Sequence, residues 1–194
     1  MLGFGNAIPV GGAAWKLMDT YTSDFTGGGG DNSSDWGDSS VEGGSITFAT
    51  NIDSIGGEDN WLRCTFPADQ TWSSGIISNC NNFVVKLGDY TTFTYKVYLS
   101  GDFEGSDPVA MRQIVHGGGL YDTIITAPTG GISLHQKNIP LTTVTTMTGY
   151  QNWTYSSTPN SSFRIEIASS VAEPRANDIM YIKDLEVKIY RNFG

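Results

Sequence analysis

An acidic stretch from Asp31 to Glu42 holds the residues whose types and spacing most resemble a metal site. Oxygen-bearing side chains stand at its positions 1, 3, 5 and 9, and a glutamate stands at position 12. The calcium loop of an EF-hand uses this spacing for its hard oxygen ligands. Trp36, however, takes the position that needs glycine for the sharp turn, and no amphipathic helix flanks the stretch. The pattern favours a solvated acidic loop, with calcium bound by some of these oxygens in an irregular loop as the alternative.

Paired carboxylates are the catalytic machinery expected of a glycoside hydrolase. Glu104, Glu166 and Glu186 are the candidates, but the last two stand on the polar phase of alternating segments, where a solvated strand face accounts for them. The sequence has no Gly-x-Ser-x-Gly elbow, and its two histidines, His116 and His135, are isolated from any candidate nucleophile. We therefore predict a non-enzymatic protein with no catalytic residues and no cofactor other than the calcium considered above.

Aromatic side chains in loop-like surroundings suggest a third chemistry, because the face of an aromatic ring matches the apolar C–H surface of a sugar. Trp36 and Trp72 lie beside Gly, Asp and Ser, and they are the predicted glycan-binding residues. Core packing is the alternative for both. Trp153 and Tyr155 share one phase of an alternating stretch, which predicts core packing for that pair.

The two cysteines, Cys64 and Cys80, allow at most one disulfide. Cys64 alternates in phase with Leu62 and Phe66, on the apolar face of a predicted strand, so we expect it to be a buried free thiol. Neither cysteine belongs to a Cys-x-x-Cys motif, and the sequence gives no support for a zinc site.

Apolar residues recur along the chain with a spacing of two, which is the period of strands that bury one face. The pattern is clearest in residues 93–99, 163–167 and 185–189. Clusters of Gly, Asn, Asp and Pro separate these runs from shorter candidates at 46–51, 61–66, 83–87, 111–116, 123–126, 132–136 and 152–156. Many short strands with turns between them predict an all-β protein, folded as an antiparallel β-sandwich of the jelly-roll type.

The composition narrows the class of protein and its partners. A length of 194 residues suits a single domain, which we place at residues 15–194. Charged residues make up only 16% of the chain, which excludes coiled coils and helical bundles, and 12% aromatic residues exclude a disordered chain. Residues 1–60 carry nine acids and one lysine, a formal charge of −8, and the net charge is −9. Without a basic patch, neither nucleic acid nor an anionic membrane is a predicted partner.

Residues 1–14 form a predicted extended N-terminal arm. Leu2, Phe4, Ile8 and Val10 are apolar residues on a glycine-rich segment. The arm lacks the positive region of a secretory signal, and no stretch of the chain has the roughly 18 apolar residues of a membrane-spanning helix. One interpretation is a frayed end. The other is an arm that becomes ordered when these four side chains bind a partner.

Several short motifs between residues 19 and 190 follow a familiar order. They are Asp24-Phe25 with a glycine-rich stretch and Asp35-Trp36, then residues 57–63, 90–99, 152–155, 162–167 and 180–187. Together they resemble jelly-roll domains of the carbohydrate-binding-module type. In enzyme-attached members of that type, a calcium ion often joins the opening acidic residue to the closing aspartate.

The resemblance implies Asp24 and Asp184 as the calcium ligands of this chain. Lys183 replaces the first aspartate of the closing pair, which is a departure from the family pattern. The apolar phase also changes at this point, from Met180 and Ile182 to the residues after Asp184. A β-bulge at Asp184 is therefore the alternative explanation for the aspartate.

The Leu-Gly-Phe-Gly-Asn start, with no catalytic domain or export signal in the sequence, resembles free-standing domains of this type in structural proteins of tailed bacteriophages. The resemblance implies a virion protein, such as a capsid decoration, head fibre or tail appendage, made in the host cytoplasm and present as a homo-oligomer or in many copies. Its arm would then bind other virion proteins such as the major capsid protein. The alternatives are a glycan-binding module for host-surface polysaccharide and a glycoside hydrolase-like enzyme.

Overall fold

The computed structural model describes residues 15–23, 25, 36–39, 41–50, 54–71, 74–78, 89–101, 103, 109–117, 120–121, 137–152, 161–167 and 174–193. Within these ranges every regular element is a β-strand, and the strand pairs are antiparallel. None of the described segments is a helix with the length and apolar character needed to cross a membrane. The predicted all-β, antiparallel β-sandwich is confirmed.

The described residues form twelve strands in two sheets. They are β1 (Trp15–Ser23), β2 (Trp36–Ser39), β3 (Thr47–Ala49), β4 (Leu62–Thr65), β5 (Ser74–Ser78), β6 (Tyr90–Leu99), β7 (Val109–Gly117), β8 (Leu120–Tyr121), β9 (Lys137–Ile139), β10 (Thr145–Asn152), β11 (Ser161–Ile167) and β12 (Ile179–Asn192). Sheet 1 has the order β10-β6-β12-β4-β3, with β1 also paired to β12. Sheet 2 has the order β2-β5-β11-β7-β8, with β9 also paired to β7.

The closing strand β12 organises sheet 1. One of its edges pairs with β6, while its other edge pairs first with β4 and then with β1. A register shift between Lys183 and Glu186 interrupts the ladder to β6, and Asp184 has a left-handed φ of 51°. Residues 180–182 are buried before this point, and the alternate positions 185, 187 and 189 are buried after it. The β-bulge considered from the sequence is therefore present.

The core lies between the two sheets. In β6, every second side chain from Thr91 to Leu99 is buried, and the intervening ones lie on the outer face of sheet 1. Sheet 2 contributes Ile76, Ile165 and Ile167, all with no exposed surface. Burial of such a side chain stabilises the fold by about 1.5–3 kcal/mol. The core therefore depends on the period-two pattern that the sequence shows.

Cys64 of β4 is a free, fully buried thiol, as expected from its phase. Burial raises the pKa of this thiol far above its usual range. Cys80 lies outside the described residues. The inert environment of Cys64 makes it a packing residue rather than a reactive one.

Some strands differ from their predicted positions. The acidic stretch predicted to be a loop contains β2, at Trp36–Ser39, because these residues pair with β5. Strand β10 ends at Asn152, where a strand was predicted to begin, and β1 has no counterpart among the predicted strands. The predicted strands at 83–87, 123–126 and 132–136, and the arm at 1–14, lie outside the described residues.

Candidate functional site

Trp36 is a core residue, which corrects the prediction that it lies in a loop and binds a glycan. Its side chain is only 3% exposed, and its ring centroid lies 5.9 Å from that of Phe25. Trp36 is the buried residue among the described positions of β2, and it belongs to the hydrophobic core. A ring with so little exposed surface has almost none on which a sugar could stack.

Trp72 itself lies outside the described residues, and its glycan-binding role stays a prediction. The residue before it, Thr71, is held by Glu42. One carboxylate oxygen of Glu42, Oε2, accepts a hydrogen bond from the Thr71 backbone N–H at 2.9 Å and another from the Thr71 hydroxyl at 2.8 Å. The chain is therefore anchored immediately before Trp72.

The amide of Gln70 strengthens this anchor from inside the protein. Its Oε1 accepts a hydrogen bond from the Glu42 backbone N–H at 2.8 Å. Its Nε2 donates to the backbone carbonyls of Glu42, at 3.2 Å, and Ala68, at 2.7 Å. Gln70 is 1% exposed, and a buried amide whose groups are all paired holds both loop segments in one geometry. We call Glu42, Gln70 and Thr71 the Gln70 anchor.

A third segment, the turn before β12, completes this end of the sandwich. The backbone N–H of Gln70 donates to the carbonyl of Pro174 at 2.9 Å. Asp69 accepts a hydrogen bond from the Ala176 backbone N–H at 3.0 Å and pairs with Arg175 at 3.3 Å. The segment that leads to Trp72 is thus tied to two other parts of the chain.

The described part of the acidic stretch uses its oxygens for these structural contacts. Asp38 Oδ1 accepts a hydrogen bond from the Ile46 backbone N–H at 2.8 Å, and Glu42, the twelfth position, binds Thr71. Residues 31–35 lie outside the described ranges. Among the residues that are described, no three His, Cys, Asp or Glu side chains come together as a metal-binding group.

Asp184, one of the two predicted calcium ligands, lies on the outer face of sheet 1 and is paired with a lysine. Its Oδ2 is 3.0 Å from Lys96 Nζ. Calcium requires six to eight oxygen ligands at about 2.3–2.6 Å, whereas an ammonium group already neutralises this carboxylate. The surroundings of Asp184 therefore do not fit calcium. Asp24, the other predicted ligand, lies outside the described residues.

Of the three carboxylates considered for hydrolysis, only Glu186 has a described side chain. Glu186 lies on the outer face of sheet 1 and forms an ion pair with Lys188 at 2.6 Å. Glu166 is part of β11, in the other sheet, and Glu104 lies outside the described ranges. The arm residues Leu2, Phe4, Ile8 and Val10 also lie outside them.

Sequence reasoning missed Gln70 entirely. A single glutamine between short strands has no spacing signal, and Glu42, which it binds, is 28 residues away in the chain. The same holds for Glu58, which contacts Lys96 across 38 residues. Only the folded sheets bring these groups together.

Neither a protein-family model nor a curated protein matches this chain. Solved structures do match. The CBM22-1 xylan-binding domain of Xyn10C from Paenibacillus barcinonensis is 13% identical with a TM-score of 0.58, covering 89% of this chain and 96% of that one. The C-terminal family 22 carbohydrate-binding module of Xyn10B from Clostridium thermocellum is 13% identical with a TM-score of 0.52, covering 90% and 94%.

An arabinose-bound α-L-arabinofuranosidase, MgGH51, also matches, at 12% identity and a TM-score of 0.54. That match covers 80% of this chain but only 23% of the enzyme chain. At these identities the likeness concerns the fold alone. This chain is accordingly a β-sandwich similar to carbohydrate-binding modules.

Proposed function

We propose that this protein is a non-catalytic glycan-binding module. The observation that carries the proposal is the match to a whole xylan-binding domain, which covers 89% of this chain and 96% of that domain. A match at full length to a binding domain supports a binding role better than a match to a minor part of an enzyme chain does. Fold likeness alone does not assign a ligand, so the site must supply the argument for one.

The Gln70 anchor supports Trp72 as the binding residue. An exposed tryptophan stacks well on a sugar when its backbone is fixed, because less conformational entropy is then lost on binding. Glu42 and Gln70 fix the chain immediately before Trp72 through five hydrogen bonds. The net charge of −9 favours an uncharged polysaccharide over an acidic one. Xylan is the first ligand to test, because the matched domain binds xylan.

The test is affinity gel electrophoresis on soluble neutral polysaccharides, followed by titration calorimetry on whichever retards the protein. We expect retardation of the native chain, and its loss in Trp72→Ala. Phe193→Ala is the matched control, because Phe193 is an aromatic residue with 62% of its surface exposed, at the end of the described chain. Equal binding by Trp72→Ala would remove Trp72 from the site. No retardation of the native chain on any neutral polysaccharide would count against the proposed function itself.

A second candidate function is a structural role in a tailed-phage virion. It rests on the resemblance given above and on the apolar pattern Leu2, Phe4, Ile8 and Val10. Deleting residues 1–14 should release the folded domain from particles. Full occupancy of particles by the truncated protein would contradict this structural role.

The two functions are compatible, because many weak sites on one particle gain avidity. A reducing-sugar assay distinguishes both of them from a hydrolase.

A further inference from the structure

A hairpin at residues 54–60 covers part of the outer face of sheet 1. Ile55 and Glu58 pair through both backbone groups, at 2.9 and 3.1 Å. Gly56 and Gly57 make the turn with φ values of 61° and 80°, which suit the primed turns of tight hairpins. We call this segment the covering hairpin. Its contact with the sheet depends on two lysines.

Lys96 of β6 is the first lysine. Its Nζ donates to Glu58 Oε2 at 2.6 Å and lies 3.0 Å from Asp184 Oδ2. The hydrogen bond that Lys96 donates to Glu58 is the main cause that raises the pKa of Lys96, and the hydrogen bond to Asp184 raises it further. One ammonium group thus joins a carboxylate of the covering hairpin to a carboxylate at the β12 bulge.

Lys183 of β12 is the second lysine. Its Nζ donates a hydrogen bond to the backbone carbonyl of Asp59. It lies 3.9 Å from Glu58 Oε2 and 5.9 Å from the centre of the Trp61 ring, a cation–π distance. Trp61 is fully buried, and its indole N–H donates to the Glu58 carbonyl at 2.8 Å. With only 12% of its side chain exposed, Lys183 is part of the packing here.

We propose that Lys96 and Lys183 act as an internal cation pair that holds the covering hairpin on sheet 1, and that Asp184 binds no calcium. A calcium ion would need the Asp184 oxygen that Lys96 contacts, and both ammonium groups would repel it. Lys183 occupies the position where the family pattern has an aspartate. Lys183 thus places a positive charge at the position where the family pattern has a metal ligand.

The experiment measures thermal unfolding of the native chain and of Asp184→Asn in calcium chloride and in EDTA. We expect calcium to have no effect that depends on Asp184. A calcium-induced rise in Tm that disappears in Asp184→Asn would overturn the proposal. A rise of equal size in both proteins would place the ion elsewhere and support it. Because the native chain is compared in both media, this arm does not depend on the folding of a lysine variant.

The second arm tests the cation pair through Lys96→Met, with Lys188→Met as the control. Lys188 lies on the same face of the same sheet but pairs with Glu186 instead of the hairpin. We expect Lys96→Met to lower Tm by about 2–4 °C in both media, and amide exchange of residues 54–60 to become faster. Lys188→Met should leave that exchange unchanged. Equal amide exchange of residues 54–60 in Lys96→Met and in the native chain would overturn the proposal that Lys96 holds the covering hairpin. Neither arm uses glycan binding, so failure here is distinct from failure of the proposed function.

Discussion

Glu42 binds Thr71 through one carboxylate oxygen, which accepts both the backbone N–H and the hydroxyl of the threonine. These two residues are 29 positions apart, and Thr71 directly precedes the predicted sugar-binding Trp72. The pair connects the last residue of the acidic stretch to the proposed site. The glutamate at the twelfth position of a calcium-like spacing therefore fixes the chain at Thr71.

Glu42→Ala should weaken glycan affinity about fivefold to tenfold, because the two hydrogen bonds that fix the chain before Trp72 are lost. Titration calorimetry with the retarding polysaccharide measures the affinity. Glu42→Gln keeps one oxygen acceptor and should therefore retain part of the glycan affinity that Glu42→Ala loses. Glu186→Gln, on the outer face of sheet 1, is the matched control. This prediction rests on the proposed function, and unchanged affinity in Glu42→Ala would show that the anchor does not position the binding residue.

Alkaline pH should destabilise the fold through Cys64. Burial raises the pKa of this thiol in the folded protein, so the thiol ionises more readily when the chain is unfolded. The contribution of the protonated thiol to the free energy of unfolding is therefore complete below the pKa that the thiol has in the unfolded chain, about 8.5. This contribution is lost as the pH rises above that value, by about 2 kcal/mol at pH 10.

Urea unfolding at pH 8 and at pH 10 measures this loss. Cys64→Ala should be less stable than the native chain at pH 8. Its free energy of unfolding should, however, fall less than that of the native chain between pH 8 and pH 10. Burial also raises the pKa of Tyr95, so further loss is expected above pH 10 in both proteins. Equal losses in the native chain and Cys64→Ala would show that the thiol does not cause the pH dependence.

Replacing Arg191 should be among the most damaging single changes in the described structure. Its guanidinium donates to Asp89 through two of its nitrogens, Nε at 2.7 Å from Oδ1 and a terminal nitrogen at 2.8 Å from Oδ2, and Asp89 is 1% exposed. Removing the guanidinium leaves a buried charge without its cation, at a cost of about 3–5 kcal/mol. Chemical denaturation of Arg191→Met should show this loss.

Arg191→Lys should recover only part of that stability, since a lysine does not reproduce the two-pronged contact. Lys188→Met, in the same strand, should cost much less because its pair with Glu186 is more exposed. A similar loss in the two methionine variants would contradict a special role for the Asp89–Arg191 pair.

Thr142→Asn should stabilise the protein. Thr142 has a left-handed φ of 54°, a conformation that is costly for a β-branched residue and easier for asparagine. The residue is exposed, so little packing is lost. We expect a gain of about 0.5–1 kcal/mol in the free energy of unfolding, measured by urea denaturation. Thr143→Asn, at the next exposed position, should give no gain, and equal effects of the two changes would argue against relief of backbone strain.

The fold was predictable because strand periodicity is a local property. The alternation at 93–99 corresponds to β6, and the alternation at 163–167 and 185–189 falls within β11 and β12. The change of phase at Asp184 also indicated the bulge correctly. Strand β2 was missed because four residues containing a glycine and an aspartate carry no usable pattern, and pairing with β5 alone makes them a strand.

The sequence by itself determined an all-β sandwich with a buried thiol, because alternation of apolar and polar residues already selects which side of a strand is buried. Only the tertiary structure decided that Trp36 faces inward, that Glu42 and Gln70 hold Thr71, and that Lys96 neutralises Asp184. Each of these depends on the register between distant strands and loops. A carboxylate looks the same in the sequence whether its partner is a calcium ion, a backbone amide or a lysine. Only the fold determines which of these partners lies next to it.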